Sequence, residues 1–195
     1  MLKLKQIVPP PVEPVTLEQV KTALKFDSSD DTPDDEIKKL LPAAREWCEK
    51  YQNRAYVQQM FELALDCWPQ GNRIRLPRPP LQQIDSLTYT DANGGTVTWD
   101  ASNYTPDQFA EPGYLVKARG VSWPSVGLSS NSIKIRYVAG YDPVVDDDEM
   151  DYTANISAII KQAIILLVCY WYENGYCEPP SGIKSLLGLD WVVPL

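Results

Sequence analysis

Acidic side chains dominate the chemistry open to this chain. Six stand between residues 27 and 36, and six more between 142 and 151. Converging carboxylates can hold a divalent cation for hydrolysis, or act as an acid–base pair on a glycosidic bond. The spacing supports neither use. A calcium loop needs acids at alternate positions and then a glycine for its tight turn, and neither run has that order or any glycine. The runs read as solvated loops, the first also placing negative charge at the start of a helix. The chain has no histidine. That excludes a Ser-His-Asp triad, a Cys-His dyad, a His-based zinc site and a His-ligated haem. Cys48, Cys67, Cys169 and Cys177 form no Cys-x-x-Cys pair, so a zinc ribbon fails, and no glycine-rich phosphate loop is present. No catalytic residue, cofactor site or metal site is assigned. Four spaced thiols without a secretory leader suit a reducing cytoplasm.

Charge and apolar patterning point to binding instead. The net charge is −8, and residues 142–195 alone hold two basic and nine acidic side chains, net −7. Such a chain repels phosphate, so sequence-independent duplex binding is not expected. Trp99, Trp123 and Tyr104 could stack sugars or bases, although core packing is the commoner use of such rings. The end of the chain is unusual. Ile183, Leu186, Leu187, Leu189, Trp191, Val192, Val193 and Leu195 put eight apolar residues in the last thirteen. Burying each such side chain is worth about 1.5–3 kcal/mol. The tail therefore either folds back on its own core or docks into a partner.

These residues need elements to position them. With 195 residues, 44% of them hydrophobic, the chain can bury a core without disulfide or metal. Its 17 prolines imply many sharp changes of direction. Residues 1–15 read as an extended arm. Thr16 and Gln19 form a capping box for a helix over 17–24. A second helix is capped by Thr32 with Pro33 at its first position. It carries Leu40, Leu41 and Trp47 on one stripe, and Pro42 should kink it. From residue 57 the apolar period drops to two, giving about six short strands up to 138, with a hairpin turn at 91–95. Residues 156–172 form a third helix, apolar nearly all round, with Ile160, Ile164, Leu167 and Trp171 on its core side. Such a helix is either central to the core or packed on a neighbouring subunit. The fold class is α+β: a small three-helix core, an antiparallel β-rich insertion between the second and third helices, an N-terminal arm and a C-terminal tail. The boundaries fall at 1–15 (arm), 16–55 (helical core), 56–141 (β-rich insertion), 142–176 (acidic loop and core helix) and 177–195 (docking tail).

Within this order the wording becomes specific. Thr16-Leu-Glu-Gln-Val-Lys is followed by Ala43-Ala-Arg-Glu-Trp-Cys-Glu-Lys-Tyr51. Then come Leu76-Pro-Arg-Pro-Pro-Leu81, Ser122-Trp-Pro124 and Ile135-Arg-Tyr-Val-Ala-Gly-Tyr141. Last is the Lys161-Gln-Ala helix running to Asn174. Together these resemble the head–tail connector proteins of tailed bacteriophages, the head-completion adaptors. The resemblance spans residues 15–190. It implies a structural virion protein without catalysis or cofactor, present as a ring of about twelve copies under the portal. The portal and a head-closure or tail protein are the implied partners. DNA passes through the lumen without specific binding, and no membrane is involved. The implied location is the virion's head–tail interface, and the host cytoplasm during assembly. Family members commonly anchor their C-terminal segment in the portal, which suits the apolar tail. Asp146, Asp147, Asp148 and Glu149 are expected to face the lumen, because an acidic lining does not grip DNA. Two other readings remain: a tail-completion or terminator ring, and a β-rich ligand-binding module.

Overall fold

The computed structural model describes residues 3–127, 129–146, 149–188 and 191–193. The chain divides into two compact units. One joins the N-terminal strand to 58–140, and the other joins Pro11–Val57 to the segment after Gly140.

The first unit is β-rich. Its main sheet is built from β1 (Lys3–Val8), β2 (Gln59–Leu65), β4 (Leu81–Thr90), β5 (Thr96–Thr98) and β8 (Ile133–Ala139), in the order β1-β2-β8-β4-β5. All pairs are antiparallel. β8 alternates strictly, burying Ile133, Ile135, Tyr137 and Ala139 while Lys134 and Arg136 face out. That is the pattern of a sheet with one wet face. A second sheet holds β3 (Arg73–Arg75), β7 (Tyr114–Lys117) and β6 (Tyr104–Asp107), in that order. The expected arm is thus partly a strand: residues 3–8 pair with β2. The alternation was hard to read because β1 is an edge strand with both faces largely open.

The second unit is helical. α1 (Leu17–Leu24) starts at Thr16, with both bonds of the capping box formed. α2 (Asp34–Gln52) begins one residue later than expected. Pro33 occupies its cap without a side-chain bond, and the helix runs on past Pro42. Thr32 does not cap it. The Thr32 backbone N–H instead donates to Asp30 in a local turn. α3 (Ala158–Asn174) is capped by Ser157, and its Gly175 stands at positive φ. α4 (Ser181–Leu187) was not foreseen. The core joins Val20, Ile37, Leu40, Leu41, Ile160, Ile164, Leu167 and Trp171 with Ile183 and Leu187. Trp47 is half-buried and stacks on Tyr51 with centroids 5.2 Å apart. Residues 11–15 are ordered here too. Val15 is buried, and Glu13 accepts a 2.9 Å bond from Arg45, which also pairs with Glu49 at 2.8 Å. No described helix is long and apolar enough to cross a membrane.

Candidate functional site

The acid runs resolve into local turns. In the first, Asp27 accepts bonds from the Ser29 backbone and hydroxyl, at 2.9 and 2.6 Å. These bonds hold its carboxyl below the usual carboxylate range. Asp30 is held down in the same way by Thr32. Asp34 lies 3.1 Å from the buried Lys21 ammonium. The second run folds into a hairpin of β9 (Val144–Asp146) and β10 (Glu149–Asp151), with Val145 opposite Met150. Asp151 accepts from the Thr153 backbone at 2.7 Å and from its hydroxyl at 2.9 Å, which also lowers its pKa. Among the described residues no group of three carboxylates or thiols could hold a metal ion. Of the acids expected at a lumen, Asp146 and Glu149 are backbone partners in the hairpin, while Asp147 and Asp148 lie outside the described residues.

The aromatic platform is part of a packed cluster. Trp68 stacks on Trp123 at 4.7 Å with an 8° tilt. Trp99 lies 5.2 Å from Trp123 and 5.8 Å from Tyr104. The indole N–H of Trp68 donates to the Pro124 carbonyl at 2.7 Å, and that of Trp123 to Gly71 at 2.9 Å. The indole donors of Trp68 and Trp123 are thus engaged by the chain itself. The cluster ties the loops after β2 and β7 together.

The tail splits in two. Ile183 and Leu187 on α4 are buried in the helical core, and Val192 is 6% exposed. Buried Gln52 holds this arrangement. Its amide donates to the Leu187 carbonyl at 2.6 Å, its side-chain oxygen accepts from the Tyr56 hydroxyl at 2.6 Å, and its own carbonyl accepts from the Val192 N–H at 3.1 Å. The reason is amphipathicity: Ile183 and Leu187 are four apart and share one helix face. Leu186 is half-buried, while Trp191 and Val193 are 50% and 61% exposed. Leu189 and Leu195 lie outside the described residues.

Sequence reasoning passed over other outward apolar groups. Phe109, between β6 and β7, is completely exposed, and its N–H donates to Asp107. Val145 and Met150 stand out on the acidic hairpin, and Ile159 and Leu166, seven residues apart, mark the open face of α3. Val145 and Met150 lay in a segment read as an acidic loop, whereas Ile159 and Leu166 belong to the helix read as apolar nearly all round. The proline turn at 76–81 and the strand end at 137–141 meet in space. The Tyr137 hydroxyl donates to the Pro77 carbonyl at 2.8 Å, and the Gly140 N–H to Pro80 at 2.9 Å. Gln82 returns a 2.6 Å bond to the Gly140 carbonyl. The proline turn and the strand end are one lock.

The helical core thus leaves apolar side chains outward on several of its elements, as the β-rich unit does at Phe109. Residues 13–183 match the family model for head completion protein, and the chain belongs to that family, which is structural and not enzymatic. Among solved structures, the chain resembles one in the neck of an empty gene transfer agent (GTA) particle computed with C6 symmetry. The TM-score is 0.80 at 20% identity, covering 99% of this chain and 97% of that one. A chain of the native GTA virion gives 0.76 at 20% identity, over 98% and 96%. A chain from the native GTA neck computed with C12 symmetry gives 0.71 at 22% identity, over 100% and 97%. At these identities the likeness establishes the fold. No curated protein sequence matches the chain.

Proposed function

We propose that this chain is the head-side adaptor of a tailed phage or phage-like particle. Copies form a ring beneath the portal, join the head to the next head-completion or tail protein, and let DNA pass through the lumen. The observation that carries this is the near end-to-end likeness to chains from particle necks with sixfold and twelvefold symmetry. The outward apolar residues supply contact surface of the kind assembly needs. The ring resides at the virion's head–tail interface after assembling in the host cytoplasm. The acids at 146–149 line the lumen, where like charge keeps DNA moving. A ring map that puts them on the outer rim rejects this assignment.

The tail docks on the portal through Trp191 and Val193, the described tail residues that its own core leaves outward. Native mass spectrometry of the protein mixed with its cognate portal ring tests the proposal. Loading of about one copy per portal subunit is expected, and the Trp191→Ser/Val193→Ser variant should lose it while remaining folded. An intact chain that ignores the portal but binds a tail-tube end would replace the head-side reading with a tail-completion ring.

A further inference from the structure

The wet face of the five-stranded sheet is basic, although the chain as a whole is acidic. Across the strands, Lys5 stands opposite Glu62, Glu62 opposite Arg136, and Arg136 opposite Ser86. The next row runs Lys3, Ala64, Lys134, Thr88. Two hollows of about 530 and 230 Å³ lie on this face and share Glu62, Asn131 and Lys134. Four cations meet two acids there: Arg136 pairs with Glu62 at 2.9 Å and Lys3 with Asp66 at 2.6 Å. Among the described residues, Lys5 and Lys134 are exposed and make no ion pair. The other groups lining the larger hollow are mainly Ser, Thr and Asn, so the face suits a hydrophilic anionic guest and not an apolar one.

We propose that this face receives the acidic 27–36 segment of a second copy of the chain, the loop after α1 with the first turn of α2, as the head-to-tail contact that closes the ring. The inference rests on the ring reading above. Charge complementarity selects an acidic segment, and polarity selects between the two available. The 142–151 hairpin carries exposed Val144, Val145 and Met150, which suit the larger hollow's mainly Ser, Thr and Asn lining poorly. The 27–36 segment has no large apolar residue. It is also pre-shaped, because Asp27 and Asp30 accept bonds from their own turns, so little ordering cost attends docking. Asp31, Asp35 and Glu36 are exposed and make no ion pair among the described residues. Two unlike patches on one molecule give a heterologous contact, which closes into a ring when the rotation allows.

Sedimentation velocity on the full chain, up to millimolar protein, tests this with two charge swaps: Lys134→Glu/Arg136→Glu on the sheet and Asp31→Lys/Asp35→Lys on the segment. The wild type should self-associate, about tenfold more weakly once added salt screens exposed charges. Each variant, folded by circular dichroism, should lose association alone. An equal mixture should regain it, because each segment then faces a sheet of opposite charge. A wild type that stays monomeric throughout, or variants that associate like the wild type, overturns the contact. Neither result touches the ring reading, which fails separately if assembled particles show the chain outside any cyclic ring. A labelled DNA duplex that binds the wild type and is released by the sheet swap, with self-association unmoved, assigns the face to DNA and also overturns the proposal.

Discussion

Removing residues 183–195 should unfold the helical unit, while changing the outward tail residues should not. Ile183 is 6% exposed, Leu187 fully buried and Val192 6% exposed. Each such side chain contributes about 1.5–3 kcal/mol, so the three together bring about 5–9 kcal/mol. The truncation also takes the Leu187 carbonyl from the Gln52 amide, and a stranded buried donor costs about 1–3 kcal/mol more. A domain of this size is stable by about 5–15 kcal/mol in total, so the loss is of the same size as the whole. By contrast, Trp191→Ser/Val193→Ser changes groups that are half exposed or more, and should move stability by no more than about 0.5 kcal/mol. Urea unfolding followed by far-UV circular dichroism separates the cases. The truncated chain should give no cooperative transition from its helical signal, and the double variant one near the full-length midpoint. A truncated chain that unfolds cooperatively at the full-length midpoint would mean that the tail's burial contributes nothing to stability.

Tyr137→Phe should lower stability by about 1–2 kcal/mol, measured by the same titration, because it leaves the buried Pro77 carbonyl without its 2.8 Å donor. Asp66 is held below the usual carboxylate range by the Lys3 ammonium and the Asn131 N–H. A lowered folded pKa gives stability that is present above the ordinary value of about 4 and is lost as pH falls toward the folded one. The melting-temperature gap between wild type and Asp66→Asn should therefore be open at neutral pH and close on acidification below about pH 4. Cys48 is buried, and burial pushes its thiol up to about 12, whereas Cys67 and Cys177 are exposed. A thiol-specific reagent should label Cys67 and Cys177 in the folded chain and reach Cys48 only after denaturant is added.

The parts of the fold legible in the sequence were those where one face is buried and the other wet. β8 and α1 announce themselves by period and cap, because burial of one side forces the alternation. β1 did not, since an edge strand open on both faces has no pattern to impose. α4 hid inside an apolar run too short to show a period, and the hairpin at 144–151 hid under its charges. The Thr32 cap is not made because the helix begins one residue later, which puts Pro33 at the cap and leaves Thr32 in the Asp30 turn. The tail's apolar excess was visible, but its division was not. Which of its residues belong to the core depends on Gln52, 135 residues away from Leu187 in sequence. No local pattern encodes that contact.

The outward apolar residues gain their significance from what holds them. Single exposed apolar side chains are ordinary on any surface. Here Phe109 stands on a loop whose backbone donates to Asp107 and whose Gln108 amide reaches the Gln82 carbonyl. Trp191 and Val193 flank a residue tied by its N–H to Gln52. Val145 and Met150 face each other across a strand pair. Each is presented by backbone that is already fixed, so a partner meets it without first ordering the chain, and that ordering is a large part of the cost of association. A chain that must join its neighbours in one orientation gains from such rigid contacts.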